Sequence, residues 1–237
     1  MKFVLGVIVP VLNESKNLPI LLKQLHEAQI VSTEKTVVVF VDGGSQDGSL
    51  DILRKSDAIL IQEKTGRALQ LEAGVRYLKE HYKVSIQYFV FLHADTRKIH
   101  PNILEELKQR TNKKAPQWGF ASLYLDSKSF IFRLIGWSIR CRSRALKIAT
   151  GDQMIFLHQT LLEEIGGVPL QSLMEDIEMT RRLRQIRRPL ILNACVQASS
   201  RRWQKQGVLK TIILMWWLQI CYKFGVSSEK LHRMYYR

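Results

Sequence analysis

Short apolar runs alternate with segments of helical spacing along the first hundred residues. The runs are bounded by polar and turn-forming residues, which is typical of buried strands, and they lie at 2–9, 36–41, 58–62 and 88–92. Apolar residues between them recur at helical spacing and predict helices after residue 13, over 49–55 and over 66–79. Strands that alternate with helices over short links indicate βαβ units and a largely parallel sheet.

Polar clusters follow three of these predicted strands: Asn13-Glu14, Asp42-Gly43-Gly44 and His93-Ala94-Asp95. In a parallel sheet the carboxyl ends of the strands meet at one edge, and ligands bind there. The clusters are therefore expected to lie near one another. Asn13 is also a candidate N-cap for the first helix, whose leucines at 18, 21, 22 and 25 have helical spacing.

The second half of the chain is less regular. The pattern predicts a strand over 119–125 and helices over 129–147, 174–186 and 208–224. In the first of these helices, four basic residues fall on one side beside Trp137, namely Arg133, Arg140, Arg144 and Lys147. Since no Gly/Ser/Pro-rich linker separates the halves, we expect one domain over 1–237, with 1–100 as the ligand-binding half and 101–237 carrying amphipathic helices.

Composition narrows the class of protein. An apolar content of 46% in 237 residues is too high for a disordered chain. Three scattered cysteines exclude a disulfide framework and a CxxC metal site, and they indicate a reducing compartment. The net charge is +15, and it is uneven: residues 1–100 hold 13 Lys/Arg and 11 Asp/Glu, whereas residues 101–237 hold 23 and 10. The second half therefore faces an anion, such as a phosphorylated substrate, a lipid surface or a nucleic acid.

Two apolar segments, 3–12 and 208–226, are candidates for a membrane span, and the pattern of neither predicts one. Residues 3–12 faintly imitate a signal peptide, but they contain Pro10 and lack a small-residue cleavage site, so a buried first strand is favoured. In 208–226 the longest unbroken apolar run is the seven residues 212–218, whereas a span needs about 20 predominantly apolar residues.

The first candidate functional motif is the segment 41–48, which reads Val-Asp-Gly-Gly-Ser-Gln-Asp-Gly. A carboxylate at a strand end can accept hydrogen bonds from a nucleobase or a ribose, and glycines let the backbone approach closely. A simple Gly/Asp turn is the alternative. The spacing matches neither a dinucleotide fingerprint nor a Walker loop.

Three other segments offer carboxylates or guanidinium groups. Asp95, beside His93 at a strand end, suits a divalent cation that bridges phosphates, with a turn or cap residue as the alternative. Glu175 and Asp176 open a helix and offer a general base, although acids also favour a first helical turn for dipole reasons. Arg201-Arg202-Trp203 suits a diphosphate and a stacked ring, or is a solvated basic turn.

The order of these segments resembles glycosyltransferase family 2. The resemblance rests on 9–14, 41–48, 93–95, 174–176 and 201–203, and it covers nearly the whole chain. It is closest to a compact bacterial subgroup with ATGDQ, MED and RRW stretches, here at 149–153, 174–176 and 201–203. The resemblance implies an α/β fold of the GT-A type, in which helices flank a mostly parallel central sheet and the C-terminal part is helical and basic. It also implies a nucleotide-sugar donor, Mg²⁺ or Mn²⁺, and inversion at the anomeric carbon.

The resemblance also assigns roles to residues. Asp95 matches the metal ligand at the end of the family's DxD motif, Asp176 matches the base with Glu175 beside it, and Asp42 matches the residue that reads the nucleobase. The implied donor-binding residues are Pro10, Asn13, Glu14, Asp42, Gly43, Arg67, His93 and Asp95. The implied acceptor or diphosphate residues are Gly151, Asp152, Gln153, Arg201, Arg202 and Trp203.

The sequence departs from the family pattern at two positions. His93 replaces the first Asp of DxD, which leaves the contact made there open. Ser199 stands where a Gln is expected three residues before Arg202, which argues against a processive polysaccharide synthase.

The resulting expectation is a metal-dependent, inverting glycosyltransferase, and more narrowly a hexosyltransferase. We expect it in the cytoplasm, with a lipid-linked acceptor and peripheral contact with an anionic membrane. A sugar-phosphate nucleotidyltransferase is one alternative, but it needs a Gly-rich basic loop after the first strand, which 9–14 does not provide. A nucleic-acid-binding protein is the other, but no helix-turn-helix, zinc-finger or aromatic RNA-binding signature supports it.

Overall fold

One mixed sheet runs through both halves of the chain. The computed structural model describes residues 4–32, 35–82, 86–111, 115–127, 129–200 and 207–235. Within them the eight strands are β1 (Val4–Val11), β2 (Lys35–Asp42), β3 (Ile59–Gln62), β4 (Ile86–Phe91), β5 (Thr96–Ile99), β6 (Trp118–Leu125), β7 (Ile155–His158) and β8 (Leu190–Ala198). Their order in the sheet is β3-β2-β1-β4-β7-β6-β8-β5.

Helices cover both faces of this sheet. Those in the described residues are α1 (Leu18–Val31), α2 (Ser49–Arg54), α3 (Arg67–His81), α4 (Ile103–Thr111), α5 (Phe130–Leu146), α6 (Gln159–Glu164), α7 (Glu175–Ile186), α8 (Val208–Lys223) and α9 (Ser228–Tyr235). A single turn of 3₁₀ helix, Gly151–Gln153, follows α5. The predicted α/β class is confirmed.

The first four strands of the sheet order are parallel. Val11 pairs with Asp42, and Asp42 pairs with Gln62, so the carboxyl ends of β1, β2 and β3 lie at one edge. β7 then runs antiparallel to both β4 and β6, while β6 and β8 are parallel. The sheet is therefore mostly parallel where the predicted nucleotide-binding segments lie.

Two hydrophobic clusters sandwich the sheet because neighbouring residues of a strand point to opposite faces. In β4, Val90 belongs to the cluster under α1, α4 and α5, while Phe89 and Phe91 belong to the cluster under α3, α6 and α7. The apolar residues whose spacing predicted the 66–79 helix are buried in α3, namely Ala68, Leu71, Val75 and Leu78. A third cluster joins Met174 to Leu218 of α8 and Leu231 of α9.

The predicted elements occur within two residues of their expected ends wherever the structure describes them, with one exception. The prediction that Asn13 caps the first helix is wrong, because α1 begins at Leu18 after Asn17. Pro19 favours that start, since its fixed φ suits the first turn and its missing N–H costs nothing there. The sequence analysis missed β5, β7, β8, α4, α6 and α9.

Gly119 allows the close approach of β6 to its neighbours. A Cβ at this position would lie 1.8 Å from the carbonyl oxygen of Leu190 and 2.6 Å from the ring of Phe156. Both belong to packed strands that cannot move aside cheaply. We expect Gly119→Ala to lower the free energy of unfolding by about 1–3 kcal/mol or more, measured by urea denaturation.

Gly136→Ala is the matched control for this variant. Gly136 is also buried, but the nearest atom to an added Cβ is the flexible end of Arg140, at 3.3 Å. Alanine also favours the helix interior by up to about 1 kcal/mol. The control should be neutral or stabilising, and a loss of stability equal to that of Gly119→Ala would contradict the packing argument.

Candidate active site

The loops after β1 and β2 form one hydrogen-bonded surface at the carboxyl edge of the sheet. Asn13, whose φ is +56°, accepts the backbone N–H of Gln46 at 2.9 Å and donates its own N–H to Ser45 Oγ at 2.9 Å. The N–H of Glu14 donates to Ser49 Oγ at 2.9 Å. The structure therefore brings together the two segments that the sequence predicted to bind a nucleotide.

Asp42 lies beneath this surface and is fully buried. Its Oδ2 accepts the backbone N–H groups of Gly44 at 2.8 Å and Ser45 at 3.1 Å. Gln70 of α3 donates to the carbonyls of Val11 and Val41, which fixes the ends of β1 and β2 side by side. Asp42 thus shapes its own turn, and its contact with a nucleobase stays a prediction.

Two further predicted donor residues support the same edge. Pro10 lies buried in β1 opposite Val41. Gly43 lets the backbone pass Gln70, because an added Cβ would come within 3.0 Å of the Gln70 amide.

His93, Asp95 and Asp152 converge at the end of β4. His93 Nδ1 lies 2.5 Å from Asp95 Oδ1. Asp152 comes from the 3₁₀ turn, and one potential ligand atom of each of the three residues lies within 4.8 Å of the other two. Although burial opposes the charged imidazole, Asp95 and Asp152 raise the pKa of His93 to about 9.

Arg67, at the start of α3, joins a second pair of carboxylates. Its Nη1 donates to Glu175 Oε1 at 2.6 Å and lies 3.5 Å from Asp176 Oδ2. The backbone N–H of Gly151 also donates to Asp176 Oδ2, at 2.6 Å. The side chain of Glu175 is only 7% exposed, whereas that of Asp176 is 15% exposed, so Asp176 is the more accessible carboxylate.

The position of α7 explains how these two acids reach the site. Met174 precedes them with a left-handed φ of +67° and packs against Leu218 and Leu231. Glu175 and Asp176 therefore lie in the first turn of α7, where the helix dipole favours negative charge.

The electrostatics of the site favour a bound cation. Four carboxylates, those of Asp95, Asp152, Glu175 and Asp176, outnumber the cations that act on them, which are Arg67, Arg142 and protonated His93. Burial raises the pKa of Asp152 and of Glu175, because their charged forms are poorly solvated. A divalent cation among His93, Asp95 and Asp152 would stabilise the ionised acids, and their oxygen and imidazole ligands suit Mn²⁺ or Mg²⁺.

Two predicted residues, Asp152 and Gln153, have surroundings that differ from those expected from the sequence. Asp152 was expected beside the acceptor or the diphosphate, and it lies against His93 and Asp95. Gln153 is buried and accepts hydrogen bonds from Ser143 Oγ at 2.9 Å and the Thr150 N–H at 3.1 Å, so it holds the turn in place. Arg201, Arg202 and Trp203 lie outside the described residues.

Arg142 is a residue that the sequence analysis missed. It lies on α5 away from the predicted basic side, and its charge interacts with Asp152 and Asp176. Burial lowers the pKa of this guanidinium. Its isolation from the other basic residues of the helix is the signal that could have singled it out.

One segment of the chain is similar to a known protein family. Residues 6–116 match the sequence model of glycosyl transferase family 2. The matched segment covers most of β1, the strands β2 to β5 and the helices α1 to α4, and the match agrees with the family that the motifs indicated. No curated protein sequence matches the chain.

Several solved structures share the fold. The S. aureus TarS 1–349 structure has a TM-score of 0.60 at 17% identity, over 84% of this chain and 61% of that chain. The mannosyltransferase PcManGT from Pyrobaculum calidifontis, in complex with GDP-Man and Mn²⁺, has a TM-score of 0.59 at 20% identity, over 82% and 56%. Glucosyl-3-phosphoglycerate synthase from Mycobacterium tuberculosis, with UDP, has a TM-score of 0.54 at 15% identity, over 84% and 70%.

These likenesses confirm the GT-A fold. The family match over 6–116 and the fold agree with the predicted glycosyltransferase class. The chain spans about three fifths of the length of TarS 1–349. Among the described residues, no helix combines the length and apolar content that a bilayer crossing requires.

Gly151 provides the space that the Arg67 guanidinium occupies. A Cβ there would lie 1.8 Å from Arg67 Nη2, and the three nearest atoms all belong to Arg67. Gly151→Ala should therefore displace the guanidinium from Glu175 and Asp176. We expect it to lower the free energy of unfolding by about 1–3 kcal/mol, measured by urea denaturation.

A double-mutant cycle with Arg67→Ala tests whether the stability loss of Gly151→Ala arises from displacement of the Arg67 guanidinium. Without the guanidinium, the three atoms nearest to the added methyl are gone, and Gly151→Ala should cost less than about 0.5 kcal/mol. An equal cost of Gly151→Ala in both backgrounds would show that the effect does not pass through Arg67.

Proposed function

We propose that the protein transfers a sugar, most simply a hexose, from a nucleoside-diphosphate sugar to an acceptor hydroxyl, with inversion at the anomeric carbon. One observation carries the proposal. The His93–Asp95–Asp152 cluster and the Arg67–Glu175–Asp176 cluster meet through the turn at 151–153, at the carboxyl edge of a family 2 sheet. A site for a metal diphosphate thereby adjoins a candidate base.

His93, Asp95 and Asp152 would hold Mg²⁺ or Mn²⁺. When bound, such a cation supplies Lewis-acid stabilisation of the charge on a departing diphosphate. Asp95 raises the pKa of His93 to about 9, which favours the protonated imidazole near neutral pH, so His93 would release that proton if it held a metal. This exchange gives His93 a role in place of the first Asp of the family motif.

The donor nucleotide is assigned to the surface formed by the loops after β1 and β2. Asn13 and Glu14 lie on it, and Asp42, Gly43 and Pro10 are buried beneath it. In the proposal Arg67 and Arg142 add positive charge near the leaving diphosphate, which stabilises the transition state electrostatically.

Asp176 is the proposed base. It removes the proton from the acceptor hydroxyl as the oxygen attacks the anomeric carbon, and the glycosyl–phosphate bond breaks with oxocarbenium character. The N–H of Gly151 orients its Oδ2. Glu175, which is more deeply buried, binds Arg67 and so positions the guanidinium.

The acceptor or the diphosphate is assigned to Arg201, Arg202 and Trp203 together with the turn that contains Gly151 and Asp152. Gln153 is buried and holds this turn in place. We include a lipid-linked acceptor, reached from the cytoplasmic face of a membrane without crossing it. The net charge of +13 in residues 101–237 supports this part of the proposal, because anionic lipids attract basic residues. The whole of 1–237 is proposed to act as one domain.

A panel of nucleotide sugars with Mn²⁺ or Mg²⁺ tests the proposed function. A true donor should raise the melting temperature by mass action and, with an acceptor, release a nucleoside diphosphate. Release of pyrophosphate from a sugar phosphate and a nucleoside triphosphate would instead establish a nucleotidyltransferase.

Asp95→Ala should weaken Mn²⁺ binding by more than about tenfold in isothermal titration calorimetry, because it removes a ligand and the partner of His93. The fold should survive, since Asp95 lies at the sheet edge rather than in a hydrophobic cluster. Asp57→Ala, at an exposed position, is the control. Unchanged Mn²⁺ affinity in Asp95→Ala would refute the metal assignment.

Asp176→Asn is nearly isosteric and keeps an oxygen that can accept from Gly151. Donor binding should persist, while the transfer rate falls by about 10²- to 10⁴-fold because the proton acceptor is lost. Glu175→Gln should slow transfer less. The reverse ranking would assign the base to Glu175. Equal small losses of transfer rate would show that neither acid is the base and that both only stabilise the start of α7 through the helix dipole.

A further inference from the structure

Helix α8 has an apolar face that the described protein leaves uncovered. Trp216 is 62% exposed and Trp217 is 54% exposed. Ile213, Ile220 and Phe224 are exposed beside them, and these five positions fall on one side of the helix. The opposite side carries Leu218, which packs against Leu231 of α9. Helix α8 therefore has two apolar sides, one packed against the protein and one exposed.

Helix α5 repeats this arrangement. Phe132 and Ile135 face the core under the sheet. On the opposite side, Phe130 is 77% exposed and Trp137 is 56% exposed, with Leu134 exposed between them. Positions 130, 134 and 137 have helical spacing and form a continuous stripe. Soluble proteins seldom expose apolar patches of this kind without a partner.

The charges around the two faces are of one sign. Neither α5 nor α8 contains an Asp or a Glu. Arg133 and Arg144 are exposed along the edge of the α5 stripe, and Lys210 and Lys223 are exposed on α8. Of the predicted basic residues, Arg140 serves the fold instead, because it donates to the Leu123 carbonyl and lies over the Tyr124 ring.

Both helices also contact the candidate active site with their inner faces. Ser143 of α5 donates to Gln153, next to Asp152. Tyr222 of α8 donates to Glu178 of α7, and Leu218 packs against Met174, which precedes Glu175. Arg142 and Gln219 join the two helices at 3.4 Å. A partner bound to the outer faces of α5 and α8 would therefore lie near the residues proposed to act on the acceptor.

We propose that the outer faces of α5 and α8 form a docking face for an anionic lipid bilayer. Exposed Trp and Phe side chains insert at the level of the headgroups, and the basic residues bind anionic headgroups. Charge decides against a second copy of the chain, because a two-fold contact would bring the two basic edges together. The proposal refines the membrane contact included in the proposed function, but it does not depend on glycosyl transfer.

Co-sedimentation of the full chain with vesicles tests the docking face. One vesicle preparation is phosphatidylcholine alone, and the other is an equal mixture of phosphatidylcholine and phosphatidylglycerol. We expect binding to the mixed vesicles only, and a fall of several-fold when salt is raised from about 0.1 M to about 1 M, where the Debye length is about 3 Å.

Variants separate the apolar part of the interaction from the electrostatic part. Trp216→Ser with Trp217→Ser should reduce binding by about tenfold or more, because apolar insertion is lost. Arg133→Gln and Arg144→Gln should each weaken binding about fivefold, because each variant loses the attraction of one basic residue to the anionic surface. Ile30→Ser, at a 70% exposed apolar position on α1, is the matched control and should bind like the parent protein.

Three outcomes would overturn the proposal: no binding by folded, monodisperse protein, equal binding to both vesicles, or binding that the tryptophan variant leaves unchanged. Concentration-dependent dimerisation that the tryptophan variant abolishes would overturn it too, and would assign the face to a second copy. Thermal shift with the donor, measured on the same variants, separates these results from the proposed function. Donor binding should be retained whichever way the vesicle experiment turns out.

Discussion

The guanidinium of Arg67 binds Glu175, a residue 108 positions away, and approaches Asp176 while it packs against Gly151. The Arg67 side chain is partly buried, and its ion pairs bring α3, the 3₁₀ turn and the start of α7 together at this one cation. The pairing also separates the two adjacent acids. Glu175 is taken up by Arg67, and Asp176 is left as the more accessible carboxylate, oriented by the Gly151 N–H. The geometry of the proposed base thus depends on the ion pair behind it.

The same turn links the ion pair to the metal-ligand cluster. Gly151 contacts Arg67 and Asp176, and its neighbour Asp152 lies with His93 and Asp95. Burial raises the pKa of Asp152 and of Glu175 above their usual ranges, and the neighbouring acids raise both further. Such a cluster costs stability unless cations compensate it, and the proposed divalent metal would do so together with Arg67 and Arg142.

The helices that cover the acceptor side are apolar on two faces. Their inner faces complete the hydrophobic clusters and hold the site-bearing turns, while their outer faces expose tryptophan and phenylalanine. Apolar burial therefore explains only one side of α5 and α8. An enzyme that meets its acceptor at a lipid surface would use the other side, and the uneven charge of the chain agrees with that use.

Local sequence pattern determined the first half of the fold, because strand and helix periodicities and short βαβ links act over a few residues. It also indicated Asp42, Asp95, Glu175 and Asp176 as site residues, since each follows a strand or opens a helix. Only the tertiary structure placed β7 antiparallel between β4 and β6, Asp152 beside His93, and Arg67 on Glu175. Those pairings join residues that are distant in sequence, and periodicity alone does not tell which apolar face of α5 or α8 is covered by the rest of the chain.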